Sequence, residues 1–342
     1  MTETWRATCI QMRSEGVAGA ATREEAWATI ERNIARAVAA VRAACAEPER
    51  PKLVVLPEFA FTGGPLTNTI PAWIEKAGSA IPGPMTEPLQ ALAREQGIYV
   101  GANLFEVDSR WPGRYFNSCF LISPAGEILL RFRRVNTATF PSPHDFMESY
   151  VGEYGMDGTF PVVETELGRI GMIACGEIAV PEVTRALMMH GAEIILHPTN
   201  ENHTAAQEAA KVARAAENMV YVISANVAGA IGFSPDGSEV GGRSRILDFR
   251  GNTLSFDESP EESIAVSAPI DVTALRVARR DPGMSNTLLR MRLDMYRSFY
   301  ESTEIYPANR FLQTPMESTN ELKPVLETAI NNLEKAGILY PA

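Results

Sequence analysis

Apolar positions along the chain fall into two kinds of run that alternate. Short continuous runs read as buried strands: WRATCIQM from Trp5, KLVVLPE from Lys52, IYVGANLF from Ile98, EIILHPT from Glu193 and VYVISANVAG from Val220. Between them lie stretches whose apolar residues recur at helical spacing. The first, TREEAWATIERNIARAVAAVRAAC, carries Thr22 and Glu25 at the positions of a capping box. The others are GPMTEPLQALAREQG ending at Gly97, PEVTRALMMHG from Pro181, and AAQEAAKVARAAENM from Ala205. YFNSCFLISPAGEILLRF reads as a hairpin turning at Pro124, Ala125 and Gly126, and FPVVETELGRIGMIAC as a second one turning near Gly168. SRILDFRGNTLSF with SIAVSAPI completes the strands. The order β-α-β-α-β-β, then β-α-β-α-β-β, predicts two similar halves whose sheets carry helices on their outer faces.

No repeat of short period, low-complexity run or linker divides the chain. One domain over residues 1–280 with a C-terminal extension over 281–342 is expected. In that extension MSNTLLRMRLDMYRSFYE reads as helical and IYPANRFLQTPM as extended with proline breaks.

Composition narrows the class. The 342 residues are 45% hydrophobic and 21% charged, ordinary globular material with a formal net charge of −11. That charge argues against nucleic acid or an anionic membrane as partner, because both need a concentrated cationic face. A neutral or cationic small molecule is easier to accommodate. The amino terminus has no secretion signal and no stretch approaches the roughly 20 apolar residues of a membrane span, so a cytoplasmic protein is expected. Cys9, Cys45, Cys119 and Cys175 lack C-x-x-C spacing and read as free thiols.

Three places carry candidate chemistry. In LVVLPEFAFTG a buried strand ends in Glu58, where Pro57 and Phe59 would raise its pKa by desolvation toward that of a general base; a solvated strand-end acid is the plainer reading. In IGMIACGEIAVPE, Cys175 sits at a strand–turn–helix corner, where a helix amino terminus favours the thiolate, and Gly176 leaves a backbone N–H free for an oxyanion. A buried cysteine is more often a small hydrophobe, the reading that Cys9 and Cys119 receive. The third is RFRRVNTATFP, where a strand runs into Arg133 and Arg134; no lysine occurs between Lys76 and Lys211. Alone, this is a solvated strand end. His197 and His203 flank the PTNEN loop without a third spaced ligand, and neither H-E-x-x-H nor a phosphate loop occurs, so no metal or cofactor is expected.

Together these segments resemble the nitrilase superfamily, the carbon–nitrogen hydrolases, over roughly residues 5 to 281. The resemblance rests on LPEFAFTG, on FNSCFLISPAGEILLRFRR, and on GRIGMIACGEIAVPEVTRAL. RAAENMVYVISANVAG, GGRSRILDFRGNTL and SIAVSAPIDVTALRVAR follow in the family's order. It implies an α/β fold, the α-β-β-α sandwich of the nitrilase type, and a Glu–Lys–Cys triad acting on a small amide or N-carbamoyl compound through a cysteine acyl-enzyme. Glu58 takes the base position and Cys175 that of the nucleophile. The lysine position falls on Arg134, a departure from the family pattern. Guanidinium can stabilise an oxyanion but cannot readily shuttle a proton. A shift to Arg133 would point the other way off the strand.

A second family glutamate matches Glu148 in DFMESY, with Glu153 as the fallback. Phe59, Gly176, Glu177 and Asn200 are expected to line the substrate pocket, with the small Gly176 leaving room there. Pro181–Glu182 agrees with amidase-like members, whereas nitrile-cleaving members carry tryptophan where Gly176 stands. The alternatives are an inactive relative that binds an acidic ligand at the arginine, and a nitrile-cleaving or acyl-transferring relative. Family members associate through helices and tails, so the resemblance implies at least a homodimer. A tail wrapped on its own subunit is the other reading.

Overall fold

The computed structural model describes residues 4–340 apart from 138, 233 and 235–237. The first half runs β1 (Trp5–Cys9), α1 (Arg23–Ala46), β2 (Leu53–Val55), α2 (Ile70–Ala77), α3 (Glu87–Gln96), β3 (Tyr99–Glu106), β4 (Phe116–Ile122) and β5 (Ile128–Arg133). After α4 (Met147–Thr159) the second half follows: β6 (Val162–Thr165), β7 (Gly168–Met172), α5 (Pro181–Met189), β8 (Ile194–Thr199), α6 (Ala205–Asn218), β9 (Tyr221–Asn226), β10 (Arg245–Leu247), β11 (Thr253–Phe256), β12 (Ser267–Ile270) and α7 (Val272–Ala278). The carboxyl-terminal segment adds α8 (Leu293–Ser302) and α9 (Leu322–Lys335).

The strands form two six-stranded sheets, ordered β12-β1-β2-β3-β4-β5 and β11-β10-β9-β8-β7-β6. The two halves repeat one plan. Strands β1, β2 and β3 run parallel, as do β7, β8 and β9, and each trio continues into two antiparallel strands. Strands β12 and β6 add antiparallel to the first strand of each trio.

The strands are buried nearly throughout because each sheet is covered twice. One core joins Cys9, Val55, Cys119 and Phe132 of the first sheet to Ile170, Met172, Leu196 and Val222 of the second. Another packs α1 and α3 over the outer face of the first sheet through Ile30, Ile34, Leu89 and Leu92. At Gly101 the second sheet packs directly on the backbone of the first: a Cβ there would stand 2.9 Å from Leu196 Cδ1. The expected α-β-β-α sandwich is the fold observed.

Some elements depart from the reading of the sequence. Thr22 caps α1 by accepting from Glu25 N at 3.2 Å, but the Glu25 carboxylate returns to Ala21 N, one residue earlier than a capping box requires. The long carboxyl-terminal helix is broken into a 3₁₀ turn over Thr287–Arg290 and the helix α8. The segment after it folds back on its own body: Phe311 N donates to Asp145 O, Ile70 N to Glu317 O, and Met316, Leu322 and Val325 are buried.

Candidate active site

The site forms where several strands end on one edge of the sandwich. Glu58 follows β2, Arg134 follows β5, Cys175 follows β7 and Asn200 follows β8. Ligands of α/β sheets collect at such carboxyl ends because the chain turns away there, leaving side chains and backbone groups unfilled by the ladder. Glu58 N donates to Thr199 O at 3.3 Å, which pins the end of β2 to the end of β8 across the sheets.

Glu58 is fully buried. Its Oε1 accepts from Asn117 Nδ2 at 2.8 Å and lies 3.6 Å from Arg134 Nη1. Asn117 is held by Asn103, whose Nδ2 donates to Asn117 Oδ1 at 2.6 Å. Burial pushes the Glu58 carboxyl up to about 7, against the opposing pull of Arg134, of Asn117 and of the adjacent Cys175 thiol. Its Oε2 is buried without an N–H or O–H donor among the described residues. A carboxyl titrating near neutrality beside a thiol is suited to take that thiol's proton.

Cys175 has a positive φ of 39°, and Phe59 beside Glu58 has a φ of 57°. Such strain persists only where neighbours over-determine it. At Cys175 the restraint is His197: its Nε2 lies 2.8 Å from Cys175 O and its Nδ1 2.9 Å from Ser224 Oγ. Burial lowers the His197 pKa to about 4, so the ring is neutral, donates from Nε2 and accepts the Ser224 hydroxyl at Nδ1. Arg214 steadies the next turn by donating from Nε to Ile178 O at 3.1 Å.

The thiol donates to Asn200 O at 3.7 Å. Burial and then the Glu58 charge drive its pKa well above the ordinary thiol value, while Arg134 pulls it down. The expectation of a resting thiolate is therefore corrected. Cys175 opens a five-residue 3₁₀ turn rather than a long helix, and desolvation outweighs what that turn offers.

Arg134 continues the β5 ladder by donating its N–H to Asn117 O at 2.9 Å. Its guanidinium reaches across the site, with Nε donating to Asn136 O at 3.2 Å and Cζ 5.7 Å from the centre of the Phe140 ring. Nη2 stands 3.1 Å from where a Cβ on Gly176 would be. The space left by Gly176 is thus filled by the arginine, not left open for substrate as expected. Arg133 points the other way, paired with Glu106 at 2.7 Å and Asp108 at 2.6 Å, its Cζ 4.2 Å from the centre of the Phe116 ring.

Three other expectations are corrected. Glu148 is exposed on α4, with its backbone N–H on Asn309 Oδ1. The segment predicted as loop turns through a capped 3₁₀ turn over Pro143–Phe146 and becomes helix at Met147, which directs Glu148 to solvent. The fallback Glu153 is exposed too, paired with Arg110. Glu177 does not face the pocket but is fully buried, accepting from Val135 N at 2.8 Å and Asn136 N at 2.9 Å, so it ties the loop after Arg134 to the turn that carries Cys175. Phe59 is likewise in the core, stacked on Phe105 with ring centroids 4.8 Å apart.

A cavity of about 560 Å³ opens over this group, lined among others by Tyr115, Arg134, Phe140, Cys175, Gly176 and Asn200, with Thr319 of the carboxyl-terminal segment at its rim. Asn200 accepts from Gly232 N at 2.7 Å through Oδ1. Among the described residues Gly176 N–H makes no hydrogen bond, so it is available to a ligand in the cavity.

The expected-weak histidine signal resolves as an ion-pair network. Glu201, His203 and Glu208 bring possible ligand atoms within 4.8 Å of one another, but the protein's own cations are among them. Lys211, fully buried, pairs with Glu201 and with Glu208 at 2.9 Å, and Arg245 pairs with Glu208.

The family profile described as carbon-nitrogen hydrolase matches residues 6–280. The chain belongs to the carbon–nitrogen hydrolase family. It is 31% identical over 235 residues to the omega-amidase NIT2 of Xenopus tropicalis, covering 67% of this chain and 79% of that one. With an (R)-stereoselective amidase of a Pseudomonas species it shares 28% identity over 255 residues, 73% of this chain and 82% of the relative. An amidase from Nesterenkonia sp. AN1, solved as a cysteine-to-alanine mutant in complex with butyramide, has the same fold. It superposes with a TM-score of 0.59 at 19% identity over 87% of this chain and 98% of that one. The family's reaction is hydrolysis of C–N bonds, and both the Xenopus and the Pseudomonas relatives are amidases. No helix among the described residues of this chain is long and apolar enough to cross a membrane.

Sequence reasoning missed His197 as an anchor and Asn117 with Asn103 as the Glu58 clamp. A signal existed, since an asparagine inside an otherwise apolar strand must satisfy its amide somewhere.

Proposed function

We propose that the protein hydrolyses a small amide with Cys175 as nucleophile, Glu58 as the sole proton carrier, and Arg134 as a fixed cation in place of the family's lysine. The observation that carries this reading is that Cys175 and Arg134 line one cavity while the fully buried Glu58 carboxyl lies against both the thiol and the guanidinium.

As the Sγ–C bond forms, Glu58 takes the thiol proton and the carbonyl oxygen becomes an oxyanion. Gly176 N–H and the guanidinium receive that charge. The guanidinium stays protonated throughout. Glu58 therefore returns its proton to the departing nitrogen as the C–N bond breaks, and ammonia or an amine leaves a thioester on Cys175. Water then attacks that thioester, giving a proton to Glu58, which passes it to the sulfur as the carboxylic acid departs. Glu177 and His197 act as positioning residues for Arg134 and Cys175.

Intact-mass spectrometry during turnover of an amide panel tests the reading. An adduct of the acyl mass on Cys175 is expected. Turnover without any adduct, in rapid-quench samples as well, would reject the covalent route. Absence of both adduct and turnover across amides, carbamoyl amines and nitriles would favour a ligand-binding relative.

The exposed apolar face of α8, with Leu293, Met295, Tyr296 and Phe299, supports assembly through this helix into a homodimer or larger oligomer. Sedimentation velocity of the wild type against Phe299→Glu tests it, with dissociation of the variant as the expected result.

A further inference from the structure

Two hydroxyl residues that line the cavity over Cys175, Tyr115 and Thr319, have no task within the protein. Tyr115 stands two residues before Asn117, the asparagine that holds Glu58. Phe105 faces Asn117 across β3 and β4, and the Tyr115 ring meets Phe105 edge-on with centroids 5.2 Å apart, so Tyr115 lies on the same side of the sheet as the Glu58 clamp. The residue is 1% exposed. Burial, with no bond to offset it, pushes its phenol above the ordinary value, so the group is neutral and keeps its proton. Its hydroxyl makes no hydrogen bond among the described residues, yet it is not sealed off as Trp73 Nε1 of the same cluster is. The open space that it meets is the cavity. A buried tyrosine hydroxyl ordinarily finds a partner, and here the partner's place falls where the substrate binds.

Thr319 comes from outside the residues 6–280 that the family profile covers. Its segment is pinned beside Tyr115. Arg114 Nη2 donates to Phe311 O at 2.7 Å, Pro315 Cγ lies 3.1 Å from where a Cβ on Gly113 would be, and Met316 is buried in the cluster that holds Tyr115. The Glu321 carboxylate accepts from Glu317 N at 2.9 Å and from Ser318 N at 2.8 Å, which fixes the 3₁₀ turn that begins at Thr319. Thr319 is half-buried, and its hydroxyl too makes no hydrogen bond among the described residues.

We propose that Tyr115 and Thr319 form a subsite for an uncharged hydrogen-bonding group, a hydroxyl or a second amide, on the acyl chain of the substrate. This deepens the amide hydrolase reading and rests on it for the reaction, not for the recognition. Each hydroxyl can donate and accept, so the pair complements a neutral group that does the same. Neither offers the opposite charge that an ionised group needs in exchange for its water. A purely apolar chain would take water from both hydroxyls and give them nothing in return.

Primary amides in which a terminal hydroxyl replaces a terminal methyl test it: 3-hydroxypropanamide against butyramide, 4-hydroxybutanamide against pentanamide, and 5-hydroxypentanamide against hexanamide. In at least one pair kcat/KM for the hydroxy amide should exceed that for the alkyl amide by about tenfold, the scale of one net hydrogen bond. In that pair Tyr115→Phe and, separately, Thr319→Val should each cut the ratio at least about threefold. Both variants fold, since each replaces a hydroxyl that bonds to nothing in the protein by a group of similar shape. An excess below about threefold in every pair would overturn the proposal, as would an unchanged ratio in either variant. Calorimetric binding of the same amides to Cys175→Ala separates the two failures. Preferential binding of the hydroxy amide there, without turnover of any amide by the wild type, would sink the hydrolase reading alone, and turnover without preference would sink this inference alone.

Discussion

Arg134 Nη2 lies 3.1 Å from the point where a side chain at Gly176 would begin, so the two residues share one volume. Arginine is longer than the lysine of the family pattern and forks at its end. Position 176, where nitrile-cleaving members carry a large aromatic, is empty in this chain, and the guanidinium occupies the vacancy. The guanidinium at 134 and a side chain at 176 therefore compete for the same space.

A double-mutant cycle tests that coupling. Gly176→Trp alone should displace the guanidinium and lower kcat/KM roughly 10²-fold, the scale of losing one oxyanion donor. Arg134→Lys alone should lower it by a similar factor, since an ammonium on a shorter stem leaves part of the volume empty. The double variant should lose much less than the product of the two, with a coupling of more than about 1 kcal/mol. Strict additivity in kcat/KM would mean that the residues act independently.

Arg133 and Arg134 are adjacent and should fail in different ways. Arg134→Met removes the charge that pulls the Cys175 thiol down and should slow acylation by roughly 10²–10³ with a nearly unchanged unfolding midpoint. Alkylation of Cys175 across a pH series should show its pKa moving upward. Arg133→Met takes the buried partner from the buried Glu106, which keeps only the more exposed Arg131, and one of two arginines from the half-buried Asp108, and should cost about 3 kcal/mol of stability in denaturant melts. Matching stability losses in the two variants would contradict this division.

Much of this was legible in the sequence because the signals were local and repeated. Buried strands, amphipathic helices and the corner at Cys175 each declare themselves within about ten residues, and the alternation along β5 already sent Arg133 and Arg134 to opposite faces. Glu148 was misplaced for the complementary reason. Whether DFMESY is loop or helix is decided by packing: Phe146 and Tyr150 sink into an aromatic cluster with Phe116, and that seating turns Glu148 outward. The tasks of Glu177 and His197 were invisible as well, because their partners are backbone groups about forty and twenty residues away in the chain.

The pH profile should report Glu58. With its carboxyl at about 7, the base form is lost as pH falls, so kcat/KM should drop tenfold per unit below that point and level off above it. Asn117 donates to the carboxylate and favours the charged form. Asn117→Leu should therefore move the acid limb upward in pH, while Glu58→Gln should abolish the limb along with several orders of magnitude in rate. A limb that stays in place in Asn117→Leu would assign it to another group.

His197 gives the last prediction, because it touches the nucleophile's backbone and not its sulfur. His197→Phe keeps the ring volume but removes the donor to Cys175 O and the acceptor for Ser224, leaving two buried polar groups unpaired at about 1–3 kcal/mol each. The left-handed conformation of Cys175 then loses its restraint, and the sulfur should wander from the oxyanion donors. Expected is a fall in kcat of at least about tenfold with little change in KM, since the pocket wall is untouched. His197→Gln can restore a donor to the carbonyl and should recover part of the rate. Equal damage in Phe and Gln variants, with loss confined to melting temperature, would make His197 a core residue with no bearing on the nucleophile.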